Sequence, residues 1–459
     1  MTDIVACAAV HPMVDGEVRL LGAIDCVTGS MTRVDLDGKR LLVDCGIGQG
    51  REARSWSFPD EASEADVVLL THGHLDHVGS LIELLDGGEF SGRIIATKPT
   101  LEITRISLED SLRMTRVPNR VVTRVLHRLD ALASPIAYGK SAKSLAGVDV
   151  VFRDAGHILG SASVEIMSPK SRVILSGDLG RPDSPILPDY NTVWPEGPPV
   201  DLVVMESTYG GRSHEHGSKD IESKLENVIH EAVAHKSRVL IPSFAIGRTQ
   251  VLLWYLNSLV ESRRIPSIPV AIDTPMGLLV TETYNKFRRL FDRESLDRMA
   301  HGDDPLDFEG LFAVRAARDS TRLLDVSGPI IIIAGSGMCT GGRILRHLAR
   351  GLPNPRTIVL FVGHQAEGTT GRRIQTAAER GDRVVIDGEE VPVRARVETL
   401  RGLSAHADRK ELARWLTAIP NVRRVALHHG ERASQEAFVE YYRSSQDPVS
   451  SLANPALRR

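Results

Sequence analysis

Thr71-His72-Gly73-His74-Leu75-Asp76-His77 follows the apolar run Asp66-Val67-Val68-Leu69-Leu70 without a break. A short aliphatic run of this kind reads as a buried strand, and the polar stretch after it as the loop leaving the strand's C-terminal end. VGSLIELL (Val78 to Leu85) then opens a helix, so the histidines sit in a strand-to-helix turn. Imidazole suits borderline metals such as zinc, and a carboxylate among the histidines fits two adjacent ions rather than one closed tetrahedral site. In extended chain His72 and His74 point to the same side and can share one ion, while Asp76 and His77, at the helix start, can turn to a second. A single structural zinc site, or a histidine cluster in a surface turn, is the alternative these residues leave open.

Two more stretches end strands in the same way. His157, in DAGHILGSAS, follows VDVVFRDA, and Asp178 ends SRVILSGD. Either alone reads as a turn residue. Together they supply a third imidazole for one ion and a carboxylate able to bridge both. Asp44, in LLVDCG, reads as an acceptor that orients a ligand imidazole.

Around this centre, strands are expected from Arg19 to Asp44 and at 93–97, 148–155, 161–167, 171–178 and 201–207. A connector from Arg181 to Pro199 carries six prolines and reads as an ordered loop. After Ser207 helices and strands alternate, which predicts a parallel βα layer. Short strands return at RVVID and VPVRARVETL, followed by a helix over 409–418, a strand over 423–429 and a last helix over 434–444. The 459 residues, 42% hydrophobic, allow two or three domains. The longest apolar segment, Pro329 to Ala334, is far below the roughly 20 residues that span a bilayer. Four scattered cysteines and an N-terminus without a basic, apolar leader predict a cytoplasmic location. The formal charge of −3 excludes a broadly basic, non-specific nucleic-acid binder.

Asp44, the run His72 to His77, His157 and Asp178 resemble, in order and context, the four motifs of the metallo-β-lactamase superfamily. Glu206 in MESTYG, His406 in LSAHAD and His429 in ALHHGE resemble the motifs of its β-CASP branch, whose members are nucleases. PSFAIGRTQ, IDTPMG, GSGMCTGGR and HQAEGTTGRR are similar to segments of the RNA-processing members, the nuclease subunit of the cleavage and polyadenylation specificity factor and its bacterial and archaeal relatives. The resemblance covers Arg19 to His429 and gives nothing for residues 1–18. Met31-Thr32 departs from the Cys-His common in bacterial relatives, and His428 stands where a hydrophobic residue is usual.

The resemblance implies an αββα metallo-β-lactamase sandwich from residues 1–207 and 396–459, with a βα β-CASP domain over 208–395 inserted and RNA in the cleft between. It implies two zinc ions per chain: one on His72, His74 and His157, the other on Asp76, His77 and His429, with Asp178 as bridge. The function implied is a zinc-dependent ribonuclease acting on single-stranded RNA, endonucleolytic first, with 5′-to-3′ exonuclease action as an extension; a His at 429 is typical of RNA-directed members. A DNA nuclease and a catalytically silent RNA-binding scaffold are the alternatives, and a homodimer is compatible. Asp76, Asp178, Glu206 and His406 are the implied catalytic residues, His406 as general acid or phosphate clamp held by Glu206.

GSGMCTGGR (Gly335 to Arg343) by itself reads as a tight βα turn or a phosphate cradle. The resemblance favours the cradle, with Ser336, Thr340 and Arg343 as RNA contacts and Ser243, Arg248, Arg372 and Arg373 as lesser ones. Residues 331–380 hold seven arginines against two acids, a local surplus of +5 hidden in the near-neutral total. Arg116, Arg120, Arg124 and Arg128 recur every four residues and predict a stripe on one helix face, acid-paired or solvated first and RNA-binding second.

Overall fold

The computed structural model describes residues 3–50, 52–142, 147–215 and 217–446. Residues 447–459, within the last expected segment, lie outside them. The chain forms two compact units, one of residues 1–183, 188–213 and 406–459, the other of 184–187 and 214–405.

The first unit holds two sheets. One runs, in spatial order, Val10–Met13, Gly16–Leu20, Thr32–Leu36, Lys39–Val43, Val67–Leu69, Arg93–Thr97 and Ala133–Ile136. Its first four strands are antiparallel and the rest add in parallel. The other runs Asp3–Val5, Arg424–His428, Leu202–Glu206, Arg172–Leu175, Ala162–Met167 and Asp149–Asp154. Side chains alternate across a strand, and here both faces of each sheet are apolar. Leu41, Val43, Val67 and Leu69 meet Phe152, Val164, Val173 and Val204 in the core between the sheets. The alternate residues Leu42, Val68 and Leu70 pack outward on helices Leu81–Asp86, Lys98–Met114 and Asn119–Leu132. On the opposite side Val203, Met205 and Leu427 pack on Trp415 and Phe438 of helices Arg409–Ala418 and Arg432–Gln446. The layers are therefore αββα. Truncating Phe152 to Ala in the central core would cost about 3–5 kcal/mol.

The second unit is built on one parallel sheet, ordered Leu311–Ala313, Val270–Asp273, Ile330–Ala334, Arg238–Pro242, Thr357–Phe361 and Arg396–Thr399. RVLIP, IIIIA and TIVLF are buried at every position, as strands covered on both faces must be.

Two expectations are corrected. Arg396–Thr399 bonds to Thr357–Phe361, so the second unit reaches Ala405 rather than 395, and it begins at His214 rather than 208. The arginine stripe is shorter than expected: Arg116 lies at φ +57° in the turn before Pro118, and the helix Asn119–Leu132 keeps Arg120, Arg124 and Arg128 at four-residue spacing. Arg124 pairs with Asp86, and Arg128 donates to the Phe90 carbonyl.

Candidate metal centre

Every candidate ligand leaves the first unit's sheets at a strand end. Val67–Leu69 delivers His72 to His77, Arg172–Leu175 leads to Asp178, Leu202–Glu206 ends on Glu206, and Arg424–His428 delivers His429. His157 lies in the turn between Asp149–Asp154 and Ala162–Met167. His72, His74, His157 and Asp178 form one donor group, and Asp76, His77 and His429 a second, each with its ligand atoms within 4.8 Å of one another.

In the first group His72 Nε2 lies 3.0 Å from His74 Nδ1, and His157 Nε2 lies 3.3 Å from the same atom. In the second His77 Nε2 lies 3.3 Å from His429 Nε2, which is 3.6 Å from Asp76 Oδ2. Asp178, 2% exposed, reaches both groups. Its Oδ2 is 3.5 Å from His72 Nε2 and 3.6 Å from His157 Nε2; its Oδ1 is 3.3 Å from His77 Nε2 and 3.4 Å from His429 Nδ1.

The tautomers follow from the groups behind the rings. Asp44 Oδ2 accepts from His77 Nδ1 at 2.7 Å and from the Thr71 hydroxyl at 2.8 Å. With its proton given to Asp44, Thr71 Oγ1 accepts from His72 Nδ1 at 3.1 Å. The Nε2 lone pairs of both rings are then left facing inward, toward other acceptors. Converging lone pairs repel unless a cation lies between them. Asp178 Oδ1 is buried and has no hydrogen-bond partner, a costly state for a carboxylate oxygen unless a cation completes it. The donor set therefore fits metal binding.

The charges agree. Burial pushes Asp178 up, but the imidazoles of His429, His77, His72 and His406 hold its carboxyl well below the usual range. Burial and the neighbouring imidazoles push His72 well down, into the neutral form a ligand needs. Asp76, despite burial, is lowered to about 2 by His429 and His77.

Beside the centre, His406 Nδ1 lies 3.3 Å from Glu206 Oε1 and 3.8 Å from Asp178 Oδ2. Glu206 is fixed by the backbone amides of Leu179 and Thr208, at 2.7 and 3.3 Å. Burial alone would lower His406, yet Glu206 and Asp178 together raise it to about 9. Sequence reading missed Thr71, and also Thr208, whose hydroxyl is 3.1 Å from His429 Nδ1. It missed Tyr209 too, whose ring lies near-parallel to His406 and 4.4 Å from the Arg212 guanidinium carbon. Their one signal was adjacency to His72 and Glu206. His428 takes a structural part: Nε2 donates to the Gly22 carbonyl at 3.2 Å, and burial lowers the ring to about 3.

The expected RNA contacts all lie in the second unit. Arg343 is not poised for phosphate: it donates to Asp273 Oδ1 at 2.7 Å and to the carbonyls of Val314 and Arg315 at 2.8 Å each. Asp273 also accepts from His347 at 2.7 Å and Ser320 at 2.6 Å. Ser336 Oγ accepts from the Thr340 and Gly341 amides at 3.0 and 3.3 Å, which draws the loop onto itself. Ser243 is buried, 3.1 Å from Thr249 Oγ1. Arg248 begins the helix Arg248–Glu261, Arg372 pairs with Glu367, and Arg373 donates to Thr370. Of the candidate hydroxyl residues Thr340 is the exposed one, its Oγ1 3.3 Å from Ser336 Oγ.

Comparison with known proteins matches residues 24–230 to the metallo-beta-lactamase superfamily, 249–374 to the Beta-Casp domain and 390–450 to the Zn-dependent metallo-hydrolase RNA specificity domain. Ribonuclease TTHA0252 of Thermus thermophilus is 39% identical over 413 residues, 89% of this chain and 92% of its own length. Transcription termination factor FttA of Cenarchaeum symbiosum is 30% identical over 87% of this chain and 64% of itself. The RNase J-like protein of Methanocaldococcus jannaschii is 27% identical over 92% of this chain and 94% of itself. A solved structure of a protein of unknown function from Enterococcus faecalis V583 shares the fold, with a TM-score of 0.54 at 11% identity over 91% of this chain and 95% of that one.

Proposed function

The chain belongs to the metallo-β-lactamase superfamily, in its β-CASP ribonuclease branch, and on that premise we propose that it is a zinc-dependent ribonuclease that hydrolyses phosphodiester bonds in single-stranded RNA. One observation carries the chemical part: Asp178 turns one oxygen to each of two donor groups and has no hydrogen-bond partner on Oδ1. Two zinc ions in such groups would supply Lewis acidity, activating a water near neutral pH and neutralising phosphate charge.

The protein's own residues do the rest. His72, His74 and His157 would hold one ion, Asp76, His77 and His429 the other, with Asp178 shared. Asp44 and Thr71 keep the ligand rings in the tautomer that points Nε2 inward. His406, held by Glu206 and raised to about 9, carries a proton at neutral pH. It is suited to hand that proton to the departing ribose oxygen, the step that limits loss of an alkoxide. Glu206 itself is a positioning residue.

The test is incubation of the purified protein with end-labelled single-stranded RNA carrying a 5′-monophosphate or a 5′-hydroxyl, with and without chelator. We expect internal fragments from both RNAs, loss of cleavage with chelator, and about two zinc ions per chain by elemental analysis. Mononucleotides released from the 5′-monophosphate end would add exonuclease action. Cleavage that survives chelation, or that is confined to DNA, would overturn the reading.

A further inference from the structure

We propose that Phe244 is a stacking platform for one nucleobase of single-stranded RNA; the proposal rests on RNA being the substrate. Phe244 is 41% exposed, an unusual state for a phenyl group flanked by the buried Ser243 and, two residues on, by Ile246 at 7%. Among the described residues no aromatic ring pairs with it.

Its exposure is not looseness. The Phe244 carbonyl accepts from the Thr249 amide at 3.2 Å and the Thr249 hydroxyl at 2.7 Å, which closes the loop onto the start of Arg248–Glu261. The ring lies against Gly337: a Cβ there would fall 2.6 Å from Phe244 Cδ2 and 2.8 Å from Cε2, so a larger residue would push the ring aside. A Cβ at Gly363 would be 3.9 Å from Cε2. Gln365, 5% exposed, ties the two glycine ledges together, its Nε2 donating to the Gly337 carbonyl at 3.0 Å and the Gly363 carbonyl at 3.3 Å. Three loops thus meet around one exposed ring.

Those loops follow Arg238–Pro242, Ile330–Ala334 and Thr357–Phe361, which are neighbours in the parallel sheet. Arg238–Pro242 connects onward to Val270–Asp273 on one side of itself, and Ile330–Ala334 to Thr357–Phe361 on the other. The carboxyl ends of strands at such a switch point are where open parallel sheets take ligands.

The chemistry around the ring selects the ligand. An exposed ring on a ledge offers a π face, and every base has a π face to match it. Loops 243–247 and 335–342 contain no acidic residue, and the one acid of the third loop, Glu367, is paired with Arg372. Thr340, exposed, offers a hydroxyl suited to sugar and phosphate oxygens, whereas the Ser336 hydroxyl is held by the Thr340 and Gly341 amides. With Arg343 drawn into Asp273, the arginine of loop 335–343 is not the group that would hold a strand here.

The test compares the zinc-loaded parent enzyme with Phe244→Leu and Phe244→Trp on one RNA oligonucleotide carrying a single abasic ribose moved position by position. Phe244→Leu, which keeps the apolar bulk and loses the π face, should raise KM about ten-fold, while Phe244→Trp restores it. In the parent one abasic position should carry a comparable penalty, and in Phe244→Leu that penalty should vanish. A KM unaltered in Phe244→Leu, or an abasic penalty that simply adds to it, would overturn the proposal while RNA cleavage by the parent stands. Failure of the parent to cleave RNA would instead strike the functional reading. Should Phe244→Leu not fold, Phe244→Trp decides: the wider face should deepen the penalty at the same abasic position, and an unaltered penalty overturns the proposal.

Discussion

The two units handle buried charge in opposite ways. In the first, Asp178 is surrounded by imidazoles, yet one oxygen has no hydrogen bond and the nearest ring nitrogens turn lone pairs to one another. In the second, Asp273 is equally buried and fully answered: Arg343, His347 and Ser320 all donate to it. An unanswered carboxylate is a demand for a cation, whereas an answered one is a strut. Both units place polar side chains at strand ends, and bond satisfaction, rather than residue type, separates the centre built for chemistry from the one built for shape.

Breaking that comparison should give effects of descending size. Asp178→Asn removes the shared charge, and we expect cleavage to fall below detection with zinc content reduced, measured by elemental analysis beside the RNA assay. Full activity with two zincs would show that Asp178 is a strut after all. His406→Ala should keep its zinc and lose about 10²–10⁴-fold in kcat, the range for a general acid. A change confined to KM would make it a phosphate clamp instead. In the second unit Arg343→Met should leave zinc content alone but strip Asp273 of its cation, at a cost of about 3 kcal/mol in a denaturant titration. A variant as stable as the parent would mean that His347 and Ser320 suffice.

A further effect, read in stability against pH, concerns a third carboxylate. Asp154, in the first unit, accepts from the Gly156 amide, and burial raises it to about 7. With the folded value above the unfolded one, the native state keeps a proton that the unfolded chain has lost, so stability falls as pH rises from about 4 to about 7. Asp154→Asn should therefore melt a few degrees above the parent at pH 8, with the gap closing toward pH 4, as read by calorimetry. A gap independent of pH would assign the effect to packing.

What could be read ahead of the structure was local. His72 to His77 lie on one turn, and the strand before them announces itself by four aliphatic residues, so donor spacing and context are visible together. Asp44, His157 and Asp178 repeat the device of a polar residue at a strand end. Contacts between distant residues were not readable. Arg343 looked like a phosphate ligand because Asp273, which claims it, stands 70 positions earlier. The arginine stripe assumed a helix running through Pro118, and Arg396–Thr399 went to the wrong unit because a strand's sequence does not name its partner. Phe244 was invisible for the opposite reason: an aromatic in an apolar stretch reads as core, and only its surroundings reveal it on the surface.

The pairing of Arg424–His428 bears on how the enzyme comes into being. That strand is an inner member of its sheet, between Asp3–Val5 and Leu202–Glu206, and it carries His429 to the centre. A chain growing from its N-terminus has synthesised Asp76 and His77 some 350 residues, and Asp178 some 250 residues, before His429 leaves the ribosome. Until then the first residues have no strand to lie beside and the second donor group is short of a member. If both donor groups are needed for cleavage, the centre cannot be complete until Arg424–His428 has been made and has paired in its sheet.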